Sequence, residues 1–182
     1  MNRNPQDDRT RLLAAGQRLA ADAAGLPLSV AAVCAHAGLP VERFAALYPS
    51  LHDYHCELLG YLFEEIRDNV ARITTNMPAS TARLKLALET YLEANISRPR
   101  LRELVAALRF DPRGAAVIRK QVSGFMVMIG LELRAVGWPQ PEATARLLTA
   151  ALVEAAQAEH ESGTRAHGMR AAVYRYLDSR PA

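Results

Sequence analysis

Two places in the chain bring together residue types able to do chemistry. The first is LSVAAVCAHAGLPVERFAALY, residues 28–48. A polar start at Ser29 leads into Val30, Val33, Cys34 and Ala37 at helical spacing, and Gly38 stops that helix, because glycine enters the left-handed backbone region cheaply. Pro40 then opens a second helix, with Val41, Phe44, Ala45 and Tyr48 three and four residues apart. Two short helices around a tight turn are the pattern of a helix-turn-helix, whose chemistry is the reading of duplex DNA. The second place is His52, His55, Cys56 and Glu57. One helical turn cannot aim all four at one ion, although His52, His55 and Cys56 share a face. No Gly-rich phosphate loop, paired metal-ligand motif or nucleophile motif occurs, so no enzyme, cofactor or metal is expected.

The elements that must position these residues are helices. Alanine, leucine and arginine dominate, and long runs of β-branched and aromatic residues are absent, which predicts an all-α protein. The first helix is expected over about 8–24, capped by Asp7 or Asp8, with Leu12, Leu13, Gly16, Leu19, Ala20 and Ala23 on one stripe; Gly25 and Pro27 break it. Helices over about 29–37 and 41–47 form the helix-turn-helix. Pro49-Ser50 precedes a long helix over about 51–75, and the stretch 76–80 is the one plausible linker. Further helices are predicted over about 81–97, 99–110, 112–136, 141–161 and 165–179, nine in all. This divides the chain into a three-helix domain, 1–50, and a helical domain, 51–182, with the fourth helix connecting them.

Charge modifies the DNA reading. The 182 residues carry a net charge of +3, yet residues 1–55 hold five arginines (Arg3, Arg9, Arg11, Arg18, Arg43) against five acids (Asp7, Asp8, Asp22, Glu42, Asp53). A formally neutral DNA-binding end is unusual, since phosphate neutralisation supplies much of the affinity. The basic concentration lies instead at 98–120, where Arg98, Arg100, Arg102, Arg109, Arg113, Arg119 and Lys120 face Glu103 and Asp111. It reads as a solvated face with local ion pairs. Cys34 and Cys56 are too few for a disulfide framework and read as buried thiols. The polar start MNRNPQDDRTR has no signal-peptide core, and no run of about 18 apolar residues is seen, so no membrane partner and a cytoplasmic location are expected.

Three short helices, a long fourth and five more resemble the TetR family of transcriptional regulators. The resemblance spans the whole chain in architecture and about residues 9–58 in motif: Leu12-Leu13 with Ala15, Ser29-Val30 with Val33, Ala37-Gly38-Leu39, Phe44, and Tyr48-Pro49-Ser50. It implies a homodimer that binds a DNA operator and responds to a small-molecule effector, most simply as a repressor released by that effector. Arg43 is then the candidate for guanine or phosphate, Val41, Ala45 and Ala46 for thymine methyls, and Ser29 for a phosphate at a helix start. Pro40, Glu42 and Tyr48 share that surface, and Arg9 and Arg11 are candidates for flanking phosphates. The chain departs from the family at four positions. Ala45 replaces a usual tyrosine, Leu47 a tyrosine or histidine, Leu51 a lysine, and Glu42 a small residue. The alternative is therefore a helical ligand- or protein-binding module of the same fold with weak or lost DNA binding.

For the second domain the resemblance implies an effector cavity and a dimer face. VSGFMVMIGLEL, residues 122–133, is apolar around most of its circumference and is expected to be a central helix. Val122, Phe125, Met126, Met128 and Ile129, with Tyr91, Leu104, Leu108 and Phe110, are the candidate walls for a hydrophobic effector. Leu148, Ala151, Leu152, Ala155, Val173 and Leu177 are the candidate dimer face.

Overall fold

The structure is a computed structural model, and it describes residues 4–22 and 27–179. Among them are nine α-helices and no strand: α1 Pro5–Ala21, α2 Val30–Ala37, α3 Val41–Leu47, α4 Leu51–Thr74, α5 Thr81–Ile96, α6 Pro99–Leu108, α7 Pro112–Ala135, α8 Pro141–Ser162 and α9 His167–Asp178. The all-α expectation holds, and most predicted bounds fall within two residues. The main shift is in α1. It begins at Pro5, and its cap is Asn4, whose side chain accepts from the Gln6 N–H, rather than Asp7 or Asp8. The expected stripe residue Ala23 and the breaker Gly25 lie outside the described residues.

The chain divides into two compact units, Met1–Phe63 with Arg98–Val117, and Glu64–Ser97 with Ile118–Ala182. In the first, α1 packs on α2, α3 and α6. Its core joins Leu12, Leu19, Val33, Phe44, Tyr48, Tyr54, Leu58 and Leu101. Phe44, Tyr48 and Tyr54 form an aromatic trio with ring centroids 5.1–5.3 Å apart. The Tyr54 hydroxyl donates to the Leu12 carbonyl at 2.9 Å, which ties α4 to α1. Gly16 permits that approach: a methyl there would overlap the Tyr54 hydroxyl and lie 2.9 Å from both Leu58 methyls.

In the second unit α5 packs on α8 and α9, and α8 on α9. Leu84, Leu88, Leu92, Leu133, Trp138, Leu148, Leu152 and Leu177 are buried there. A charge network invisible in the sequence runs through this unit. Arg170 on α9 is buried and donates to Glu159 at 2.6 and 2.7 Å, and to Glu89 and Glu93 on α5 at 2.7 and 2.6 Å. Glu159 also accepts the Ala166 N–H at 3.0 Å, and Tyr174 bonds Glu89. A guanidinium fits because its fork meets several carboxylates at once, so a buried cation keeps its partners.

Helix α7, expected to be a central helix, is only partly covered. Ile129 and Leu133 are buried, but Val122, Val127 and Leu131 are exposed. By length and composition α7 is also apolar enough to cross a membrane, which the sequence reading did not foresee. Most of its apolar stretch is not buried inside the chain.

Candidate nucleic-acid interface

The turn between α2 and α3 is built as its residue types require. The Ser29 hydroxyl caps α2 by accepting the Ala32 N–H at 3.2 Å. Gly38 ends α2 in the left-handed conformation, φ 62°, and its N–H reaches back to Ala35 and Cys34. Pro40 sets the extended backbone from which α3 starts. Phe44 points into the core, which leaves Val41 (50 % exposed), Glu42, Ala45 and Ala46 on the outer face of α3.

Arg43 sits half-exposed beside them, and it is held from behind. Its Nε donates to Asp8 Oδ2 at 2.6 Å, and Nη2 lies 2.5 Å from the same oxygen. Asp8 is only 1 % exposed, so a buried carboxylate on α1 fixes the base of the Arg43 guanidinium. Sequence reasoning took Asp8 for a cap and missed this pairing of residues distant in the chain.

The other nominated groups divide. Val41, Glu42, Ala45 and Ala46 are exposed on α3 with Arg43 half-exposed among them, Pro40 is exposed where α3 starts, and Ser29 is half-buried at the start of α2. Arg9 donates to Glu57 on α4, at 2.6 Å through Nε, and stacks over the Tyr48 ring at 5.5 Å. The Glu57 hydrogen bond raises the Arg9 pKa further above its ordinary value, against burial, so its charge is answered within the protein. Arg11 donates to the Ala37 and Gly38 carbonyls at 2.7 and 3.3 Å, and Arg18 to the His36 carbonyl at 2.9 Å. Two arginines of α1 thus close the C-terminal end of α2, where cations favour the unpaired carbonyls. Tyr48 is 4 % exposed and belongs to the aromatic core, because its ring is needed against Phe44 and Tyr54.

His55 turns away from His52. Its Nε2 donates to the Leu28 carbonyl at 2.9 Å, and burial pushes its pKa below the ordinary histidine value. The shared helix face of His52, His55 and Cys56 therefore does not bring all three together. Of the basic stretch, Arg100 pairs with Glu103, Arg113 with the distant Asp53, and Arg109 lies over the Phe110 ring at 4.6 Å, whereas Arg102 is buried rather than on a solvated face.

The nominated effector walls fall in both units. Leu104 and Leu108 are buried in the first, where Phe110 is 83 % exposed and lines no interior. In the second, Tyr91 and Phe125 meet edge-on at 4.7 Å, Met126 and Met128 are half-buried, Ile129 is buried and Val122 is exposed. Of the nominated dimer residues, Leu148, Leu152, Ala155, Val173 and Leu177 are buried in the chain's own core, and Ala151 is half-buried. The outward apolar residues are instead Leu147 (65 % exposed) and Val153 on α8, and Tyr176 on α9.

No family model matches the chain, and no curated protein does. Solved structures do. A transcriptional regulator from Rhodococcus sp. Rha1 is 17% identical with a TM-score of 0.75, over 98% of this chain and 96% of that one. E. coli NemR in its reduced form is 14% identical with a TM-score of 0.72, over 97% and 99%. The multidrug binding protein EbrR, complexed with imidazole, is 23% identical with a TM-score of 0.67, over 96% and 95%. A putative TetR/AcrR family regulator aligns with a TM-score of 0.73 at 15% identity, over 96% of this chain and 98% of that one. Helix order and nearly complete coverage of both partners agree, and the chain has the fold of the TetR/AcrR-family transcriptional regulators.

Proposed function

We propose that this chain is a one-component, ligand-responsive transcriptional regulator, cytoplasmic and without catalytic activity. In this reading it binds an operator as a homodimer, and a small hydrophobic effector releases it. The observation that carries the reading is the outer face of α3. Val41, Glu42, Ala45 and Ala46 are exposed on a short helix, behind a Gly38 turn, beside an arginine braced by a buried carboxylate. A braced guanidinium loses less rotamer freedom on reaching a base edge than a free one. DNA reading is assigned to residues 1–50, and effector binding and dimerisation to 51–182. An effector acts by binding one conformation of the dimer more tightly than the other. The name of EbrR, a multidrug binding protein, supports a small-molecule effector. Location in the cytoplasm follows from a DNA partner.

The test is footprinting of the purified protein on DNA flanking its own gene. Protection of a two-fold site is expected, and Arg43→Ala should weaken it by about 1–3 kcal/mol while relaxing the preference at one base pair. Unchanged affinity would remove Arg43 from base reading. A second reading, a helical module with weak or lost DNA binding, is favoured by one observation: Arg9 and Arg11 are engaged by the protein's own acids and carbonyls. It predicts no protected site at physiological salt, and at most sequence-independent protection at low salt.

A further inference from the structure

We propose that His52, Cys56 and Asp111 form a binding site for a tetrahedral divalent transition-metal ion, Zn2+ by the chemistry of the set. His52 and Cys56 stand one turn apart on α4, and Asp111 immediately precedes α7. All three belong to the first compact unit. His52 Nε2 lies 3.6 Å from Cys56 Sγ and 3.2 Å from Asp111 Oδ1, and the three ligand atoms lie within 4.8 Å of one another.

The two spacings from His52 match edges of a coordination tetrahedron, and the third, from Cys56 Sγ to the Asp111 carboxylate, lies within 4.8 Å and closes by a small side-chain rotation when an ion binds. With Zn–N and Zn–O near 2.0–2.1 Å and Zn–S near 2.3 Å, tetrahedral angles place N and S about 3.6 Å apart and N and O about 3.3 Å apart. An ion pair between His52 and Asp111 accounts for less. One Nε2–H points along a single direction, yet Nε2 is flanked by both a sulfur and an oxygen. A single ion between the three atoms serves all of them together.

The surroundings suit the role. Cys56 is 5 % exposed, so its sulfur approaches from the protein side, while His52 and Asp111 are partly open to solvent. Three protein ligands leave the fourth position to a water, unlike the closed four-ligand sets of purely structural zinc sites. The Arg113 and Gly114 N–H groups both donate to Asp111 Oδ1 at 2.9 Å and fix the carboxylate, as outer-shell bonds do at metal centres. Imidazole and thiolate exclude the hard ions Mg2+ and Ca2+ as preferred occupants. An ion here clamps the start of α4, the helix that follows α3, to the α6–α7 turn. The inference does not rest on DNA binding, because the ion is read on the protein alone.

The experiment titrates the full chain, freed of any affinity tag, with Co2+ and then displaces it with Zn2+. One equivalent of Co2+ is expected to give the intense visible bands of a tetrahedral site and a thiolate-to-metal band in the near ultraviolet. Cys56→Ser should remove the ultraviolet band, and Cys34→Ser should keep it. His52→Gln, at an exposed position, and Asp111→Asn, which keeps an oxygen to cap α7, should each weaken binding by at least about tenfold, the lower end of what even an outer-shell partner is worth. Only a weak octahedral spectrum, or an ultraviolet band that survives Cys56→Ser, would overturn the proposal. Because His52→Gln spares the core, its affinity decides the matter even where Cys56→Ser fails to fold.

Discussion

At Asp8, a residue of ordinary capping type is buried, and its charge is answered by Arg43 of the candidate reading helix. Gly16 is a second residue whose reason lies across the fold rather than along the chain. Adding one methyl there drives it against the Tyr54 hydroxyl and the Leu58 methyls. Gly16→Ala should therefore destabilise the protein by about 1–3 kcal/mol, the usual cost of overpacking, despite alanine's better helix propensity. Urea unfolding followed by circular dichroism measures it, and a stabilised variant would show that α1 and α4 have room to part. Ser29 and Gly38 were legible as cap and stop because their task is local. Asp8, Arg9 and Arg11 were not, since their partners Arg43, Glu57 and Ala37 are far away in sequence.

Among the elements, α8 shows what periodicity can and cannot say. Its apolar positions are evident from spacing, but spacing does not name what covers them. Leu148, Leu152 and Ala155 face the chain's own α5 and α9 side, whereas Leu147 faces out. The network that joins α5, α8 and α9 was equally hidden, because Glu89, Glu93, Glu159 and Arg170 read singly as surface charges. Burial raises the Glu93 carboxyl, but hydrogen bonds from Arg165 and Arg170 and their charges outweigh it and hold the pKa below the ordinary glutamate value. A depressed carboxylate stabilises the fold above its unfolded-state pKa. That contribution is lost as pH falls from about 4.3, the unfolded value, through the lower folded one. Thermal melts of Glu93→Gln should lose less stability than the parent between pH 6 and pH 3, and parallel curves would remove Glu93 from the acid response.

At the level of the whole molecule, the charge balance governs affinity for a polyanion. Residues 1–55 carry as many acids as arginines, and Leu51 stands where the resembled family carries a lysine. Leu51→Lys should tighten DNA binding and steepen the dependence of log K on log salt by about 0.9, one additional phosphate contact. Binding titrations at several salt concentrations read this, and an unchanged slope places residue 51 away from the backbone. The proposed dimer has its own test. Leu147→Arg, on the outer face of α8, should shift the sedimenting species toward monomer with helix content intact. A dimer of unchanged strength would move the interface elsewhere.

The sequence by itself determined the nine helices of the described residues, the Ser29 cap and Gly38 stop, the helix-turn-helix at 28–48 and its neutral charge. Each of these depends on neighbours within one or two turns, where propensity, proline and glycine geometry and the 3.6-residue period act. Only the tertiary structure decided which apolar faces are core, and which arginines brace the fold and which side chain braces Arg43. It also decided that Asp111, rather than His55, stands with His52 and Cys56. Those outcomes are contacts between residues distant in the chain, set by how the helices pack, and no local pattern encodes them.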